Sequence, residues 1–400
     1  MALTPYEDAL SMVLENAHAL PLERVLLWQA FGRVLAEDIR SDSDKPPFDN
    51  SAMDGYAVRA EDLQGENIRL KLVGEVSAGG ESSVKVEAGT AVRIFTGAPI
   101  PEGADTVVPL EFTKQEDNYI VVEKPLKMGA NVRLRGEELK EGEPILKRGT
   151  LIRGYEIGIM AYVNKVSVCV YQKPKVAVLS TGDEVRDIGE SLEKPSHIRS
   201  SNNHALYAKA LELGCEVVHL GIVKDRPEEI KKVLEQAERY DVLLTTGGVS
   251  VGEKDYVQKV VKEMGFEVIF HKLRIKPAKP VLMAKKGRTL IFGLPGNPVS
   301  CVMAFDLLVK PALMKMQGIE ECRPKVYRAT LTKDFSRKDA ERREFLRASF
   351  WEEDGKLYCD YSPKTQSHML TSYICANCYL VVYENVKELK AGEQVEIIPF

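Results

Sequence analysis

Between residues 173 and 318, short apolar runs alternate with amphipathic ones, and this alternation constrains the fold more than any other feature of the chain. The runs at 175–180, 216–223, 241–246 and 267–273 have strand length, while 202–213, 227–239, 255–264 and 298–317 have helical spacing. Alternation on this scale predicts a doubly wound parallel sheet with right-handed crossovers. Three apolar runs, those at 175–180 and 241–246 and a further one at 289–293, end in loops rich in Gly or Pro. These loops are Ser180-Thr181-Gly182-Asp183-Glu184, the stretch from Gly247 and Gly248 through Ser250 and Glu253 to Asp255, and Leu294-Pro295-Gly296-Asn297-Pro298-Val299-Ser300. A strand that passes through glycine and small hydroxyl residues into a helix leaves backbone N–H groups free at the helix start, where anions bind. If the three strands lie parallel in one sheet, their loops open on one edge, where α/β sheets hold ligands.

The charges at that edge have an order. Asp183 and Glu184 follow the first strand, Asp225 the second, and Glu253 and Asp255 the third. Oxygen-only clusters without His or Cys favour Mg²⁺ over zinc. Opposite in sign is Lys272-Leu273-Arg274-Ile275-Lys276-Pro277-Ala278-Lys279-Pro280, where Lys276 and Lys279 suit a phosphate or another oxyanion as point charges. Each charge alone reads as a solvated loop residue; their placement at successive strand ends favours a site. This is a parts list for metal-assisted phosphate or oxyanion chemistry. Ser250 and Ser300 lack the G-x-S-x-G elbow of a nucleophile, GGVSVG lacks the Gly-Lys that closes a phosphate loop, and His204, His219 and His271 read as structural.

Outside this stretch, Thr4-Pro5-Tyr6-Glu7 reads as a capping box for a first helix. From about 45 to 140, short β-type runs alternate with turn residues, which predicts a β-rich domain. A helix over 154–164 is expected to pack back on the first, making that domain an insertion. After Arg323-Pro324 the short β runs return to the end of the chain. A second polar cluster, Phe48-Asp49-Asn50-Ser51-Ala52-Met53-Asp54-Gly55-Tyr56-Ala57, reads as a site rather than a core, and Arg93 to Pro99 ends another strand in the same way. A net charge of −4 argues against nucleic-acid binding, and no apolar run reaches the roughly 18 residues of a spanning helix. With no visible signal peptide, the expected location is cytoplasmic. The 7 cysteines form no disulfide framework, and Cys375-Ala376-Asn377-Cys378 lacks the second pair of a four-cysteine zinc site.

The strings DNSAMDGYAV, RIFTGAPIPEGAD, STGDE, GGVSVGEKDY, LPGNPVS and SHMLTSYICAN, in this order, resemble the molybdopterin molybdotransferase family, whose members insert molybdenum into molybdopterin and to which the gephyrin E domain is related. The resemblance implies a multidomain α/β plus β fold: a helical domain of residues 1–44 with 141–172, an inserted β-rich domain of 45–140, a molybdopterin-binding α/β domain of 173–320 and a β barrel of 321–400. It implies a homodimer that turns adenylylated molybdopterin, molybdate or tungstate, and Mg²⁺ into molybdenum cofactor and AMP, with a molybdopterin adenylyltransferase upstream. Carried over, Asp54, Glu184, Asp225 and Asp255 are the catalytic acidic positions, the last three as metal ligands. Lys272 and Lys276 join them, and Thr96, Pro295, Pro298 and Ser367 or Ser372 shape the pterin and anion site, beside the loop residues Ser180, Thr181, Gly182, Gly247, Gly248, Ser250, Gly296, Asn297 and Lys279. Two departures stand out: Gly136-Glu137-Glu138 where the family has Gly-Glu-Asp, and Ala278 where it has glycine. A molybdopterin adenylyltransferase, a related nucleotide hydrolase and a non-catalytic scaffold are the competing readings.

Overall fold

The computed structural model describes residues 3–65, 68–80, 83–248 and 256–400. They form two compact units, one comprising the chain up to Glu37 with Gly149–Arg153 and Ser167–Phe400, the other Asp38–Arg148 with Gly154–Val166.

The second unit is built on a six-stranded sheet, with strands Thr106–Pro109, Gly55–Val58, Thr90–Ile94, Ile68–Val76, Tyr119–Val122 and Thr113–Glu116 side by side in that order. Tyr56 and Val58 enter one apolar cluster and Ala57 another, so the period-two alternation buries both faces of this curled sheet. Helix Gly154–Tyr162 groups with this unit, whereas the sequence reading paired it with the first helix.

In the other unit, helix Tyr6–Asn16 buries Tyr6, Ala9, Leu10 and Val13, spaced along one helical stripe. No capping box forms. Pro5 takes the N-cap with no side-chain hydrogen bond, because Thr4 is used as backbone: its N–H donates to the Lys272 carbonyl and its carbonyl accepts from the Arg274 N–H.

The central sheet runs in the order Glu216–Val223, Lys175–Thr181, Val242–Thr246, Thr289–Leu294, Leu282–Lys286, Glu267–His271. The first four strands are mutually parallel. One strand of the sheet, 282–286, is reversed, because only two residues, Gly287 and Arg288, connect it to 289–294, and a connection that short makes a hairpin. Val176, Val178, Leu244 and Phe292 face one apolar cluster and Ala177, Leu243 and Ile291 the other, the pattern of a sheet covered on both sides.

Strands Arg343–Glu353, Lys356–Tyr361, Tyr327–Leu331, Gln394–Pro399 and Cys378–Val382 pair in sequence, and the last pairs back to the first, closing a five-stranded barrel. Its Phe345, Tyr379, Val381 and Ile398 share one core with the α/β sheet. One helical run crosses that core, α over Pro298–Ala304, π over Phe305–Val309 and α again over Lys310–Met316.

Candidate active site

Strands 175–181, 242–246 and 289–294 are neighbours and parallel, so their carboxyl ends lie side by side. There they bound a cleft of about 510 Å³. Of the residues expected there, Ser180, Thr181, Glu184, Asp225, Gly247, Gly248, Pro295, Gly296, Asn297 and Pro298 line it. Two carboxylates, two hydroxyls and several glycine and proline backbones thus converge on one wall system. Gly182 stands beside the cleft, its N–H donating to the Val223 carbonyl at 3.1 Å.

The glycine requirement is sharpest at Gly247. Its φ is +92°, and a Cβ there would lie 2.5 Å from the Thr181 carbonyl oxygen. Only glycine lets the two strand ends approach this closely. Thr181 is 4% exposed, and its Oγ1 has no hydrogen-bond partner among the described residues. A buried hydroxyl without a partner costs free energy unless something binds it.

Helix Asn202–Glu212 begins on the same cleft, which Ser200, Ser201 and Asn202 also line. Ser201 sits at the N-cap but makes no side-chain cap, so the first-turn amides keep their donors. Asn202 Nδ2 donates to Thr246 Oγ1 at 2.7 Å and to the Gly296 carbonyl at 2.8 Å, tying two of the loops together, while Ser180 Oγ donates to Asn203. Sequence reasoning missed these residues. The signal was present in Ser200-Ser201-Asn202-Asn203, four small polar residues at a helix start, which reads as ordinary capping.

The lysines lie elsewhere. Lys276 pairs with Glu344 of the barrel at 2.9 Å, and neither it nor Lys272 or Lys279 lines the cleft. Pro280 does. From the barrel side, the Ser367 carbonyl accepts from the Val299 N–H at 3.1 Å, on the first turn beyond Pro298. Also missed was Arg347, 1% exposed, within the apolar run Phe345-Leu346-Arg347-Ala348. Its Nε donates to Ser372 Oγ at 3.0 Å and its Nη2 to the Lys364 carbonyl at 2.6 Å, but its Nη1 has no hydrogen-bond partner among the described residues. Burial pushes this guanidinium below its ordinary range.

In the second unit, Asp54 and Thr96 meet. The Thr96 N–H and hydroxyl both donate to Asp54 Oδ1, at 2.8 and 2.7 Å, and hold its carboxyl below the usual carboxylate range. Glu138, the departure from the family pattern, accepts from the Tyr162 hydroxyl at 3.0 Å. Ser250, Glu253 and Asp255 lie outside the described residues. Among the described residues, no three His, Cys, Asp or Glu side chains gather closely enough to hold a metal by themselves.

Three family models match the chain in succession: the MoeA N-terminal region (domain I and II) over residues 4–164, a "Probable molybdopterin binding domain" over 177–315, and the MoeA C-terminal region (domain IV) over 328–400. The molybdopterin molybdenumtransferase of Staphylococcus aureus strain Mu50 is 36% identical, across 98% of this chain and 95% of that one. The protein of the same name from Haemophilus influenzae is also 36% identical, across 94% of each chain. Among solved structures, the molybdopterin biosynthesis MoeA protein of Pyrococcus horikoshii superposes with a TM-score of 0.85, at 32% identity, over 100% of both chains. Sheet, cleft and barrel therefore place the molecule in the class of multidomain proteins built around a molybdopterin-binding type of α/β domain. Within that class, the chain belongs to the MoeA family of molybdopterin molybdenumtransferases.

Proposed function

We propose that this protein is a molybdopterin molybdotransferase, which inserts molybdate or tungstate into adenylylated molybdopterin and releases AMP, in molybdenum cofactor biosynthesis. One observation carries the reading: Glu184 and Asp225 share a cleft with an uncapped helix start and the unpartnered Thr181 hydroxyl. Helix-start amides and hydroxyls suit the pyrophosphate of the adenylylated pterin. The two carboxylates face it across a space large enough for a small ligand.

The donor set fits Mg²⁺, which binds through one or two carboxylates together with substrate phosphates. Glu184 and Asp225 would hold it, with Asp255 as the third ligand. Bound there, it would neutralise the charge that develops on the phosphate being cleaved. The chain's own groups do the rest. The Gly247–Thr181 contact and the Asn202 tie fix the loops, and the amides at the start of the 202–212 helix orient the anion. Among the described residues, no side chain lining the cleft has the arrangement of a covalent nucleophile, which supports direct attack by the oxyanion, or by water after insertion. Ser372, held by Arg347 Nε on the barrel, stays part of the reading as a residue that shapes the anion site. The working form is a homodimer supplied by a molybdopterin adenylyltransferase, acting in the cytoplasm.

Purified protein, adenylylated molybdopterin, Mg²⁺ and molybdate should release AMP. Asp225→Asn should lower that rate by about a hundredfold or more, with little change in thermal midpoint, since the residue lies at a strand end outside the core. Wild-type turnover in this variant would overturn the metal assignment. An adenylyltransferase would consume the nucleotide instead, so the direction of the AMP balance separates the two enzymes. A non-catalytic scaffold would show no turnover at all.

A further inference from the structure

We propose that the cavity between the 310–316 helix and the barrel is a second ligand site, which takes a small aromatic anion. It shares no lining residue with the cleft at the sheet edge and does not depend on the reaction assigned there. Its volume is about 620 Å³, the size of a site for a drug-sized molecule. Tyr327, Phe350, Tyr379 and Phe400 supply aromatic walls, and Met314 and Leu357 add apolar lining. Flat apolar walls of this kind favour a planar ligand.

The polar end of the cavity is rigidly built. Asp306, 6% exposed, stands 2.8 Å from Lys209 Nζ through Oδ1 and accepts from the Tyr379 hydroxyl at 2.7 Å through Oδ2. The Tyr379 hydroxyl lies 2.8 Å from that of Tyr373, which extends the network behind the wall. Lys209 therefore already neutralises the one buried carboxylate. Lys310, half-buried in the same wall, has no ion-pair partner among the described residues. The four other charged residues of the lining, Glu321, Arg323, Lys325 and Glu352, are exposed at the solvent side and cancel in pairs. Lys310 also acts on Asp306 through space, so two ammonium groups serve one carboxylate and the set carries one net positive charge beside apolar and aromatic surface. A net positive charge held against apolar surface is poorly solvated, and a ligand that brings one negative charge offsets it.

The test compares two dyes with the same ring system, 8-anilinonaphthalene-1-sulfonate and the uncharged N-phenyl-1-naphthylamine, by fluorescence titration of the native full-length protein. The sulfonate should bind at one equivalent, roughly tenfold or more tightly than the neutral dye. Lys310→Met should erase that preference, Met314→Trp should abolish binding of both, and Asp225→Asn at the other cleft should change neither. If Met314→Trp fails to give a cooperative melt, Leu357→Trp fills the cavity from the barrel side. Sulfonate binding that survives the filled cavity, or equal affinity of the two dyes for the wild-type protein, overturns the proposal.

Discussion

At Asp54, two donors from one neighbour set the charge state of a carboxylate that is itself exposed to solvent. Thr96 supplies both its N–H and its hydroxyl, which favour the ionised form and depress the pKa. Because the folded value is lowered, the stabilisation is present above the unfolded value and is lost as pH falls through the folded one, on the acid side of the usual carboxylate range. Thr96→Val keeps the N–H and deletes the hydroxyl. The Asp54 pKa should then move up towards its ordinary value, read from the carboxyl carbon shift in an NMR titration. An unmoved titration would mean that the hydroxyl bond is not formed in solution. Both partners were legible as site residues, since each sits in a turn-rich polar string without periodicity. Asn202 and Arg347 were not legible, and for a common reason. Asn202 acts on residues 44 and 94 positions away. Arg347 occupies a phase of its strand that neighbouring apolar residues mark as core. A side chain whose meaning depends on distant partners leaves no local pattern.

Among the elements, the strand–helix alternation was readable because each period buries a face. The apolar hairpin expected between the 267–273 strand and the 298–317 helix is present as 282–286 and 289–294, turned through Gly287 and Arg288, and it brings one reversed strand into the sheet. The substitution at Ala278 drew notice as a backbone restriction, and the residue adopts φ +73°, the left-handed region that glycine would enter without strain. Backbone bonds hold it there, from the Lys272 N–H to the Val281 carbonyl at 3.0 Å and from the Leu273 N–H to the Lys279 carbonyl at 2.8 Å. The helical run from 298 to 316 meets the barrel through the Asp306–Tyr379 bond. Tyr379→Phe removes the donor while keeping the ring, and leaves a buried carboxyl oxygen short of a partner. Burial already pushes the Asp306 carboxyl above its ordinary range, and the lost donor adds to that penalty. The expected cost is about 1–3 kcal/mol in a denaturant titration. A midpoint within error of wild type would show that the bond carries no net stability.

For the whole molecule, the proposed homodimer makes a quantitative claim. Asp54 and Asp225 belong to different compact units of the chain, yet both were read as catalytic carboxylates. If one site takes Asp54 from one copy and Asp225 from the other, then Asp54→Ala and Asp225→Ala damage different contributions to it. Each variant alone makes an inactive homodimer, because both of its sites carry the defect. In a mixed dimer, one site receives both substitutions and the other receives neither. Random exchange at equal concentrations makes half the dimers mixed, and each keeps one working site of two, so AMP release should recover to roughly a quarter of wild type. Differently tagged chains would confirm that exchange is complete. Zero activity after complete exchange would place the site within a single copy, since every site would then carry one substitution or the other. A fully active Asp54→Ala homodimer would instead remove Asp54 from the chemistry and leave its bond to Thr96 as a feature of the loop alone.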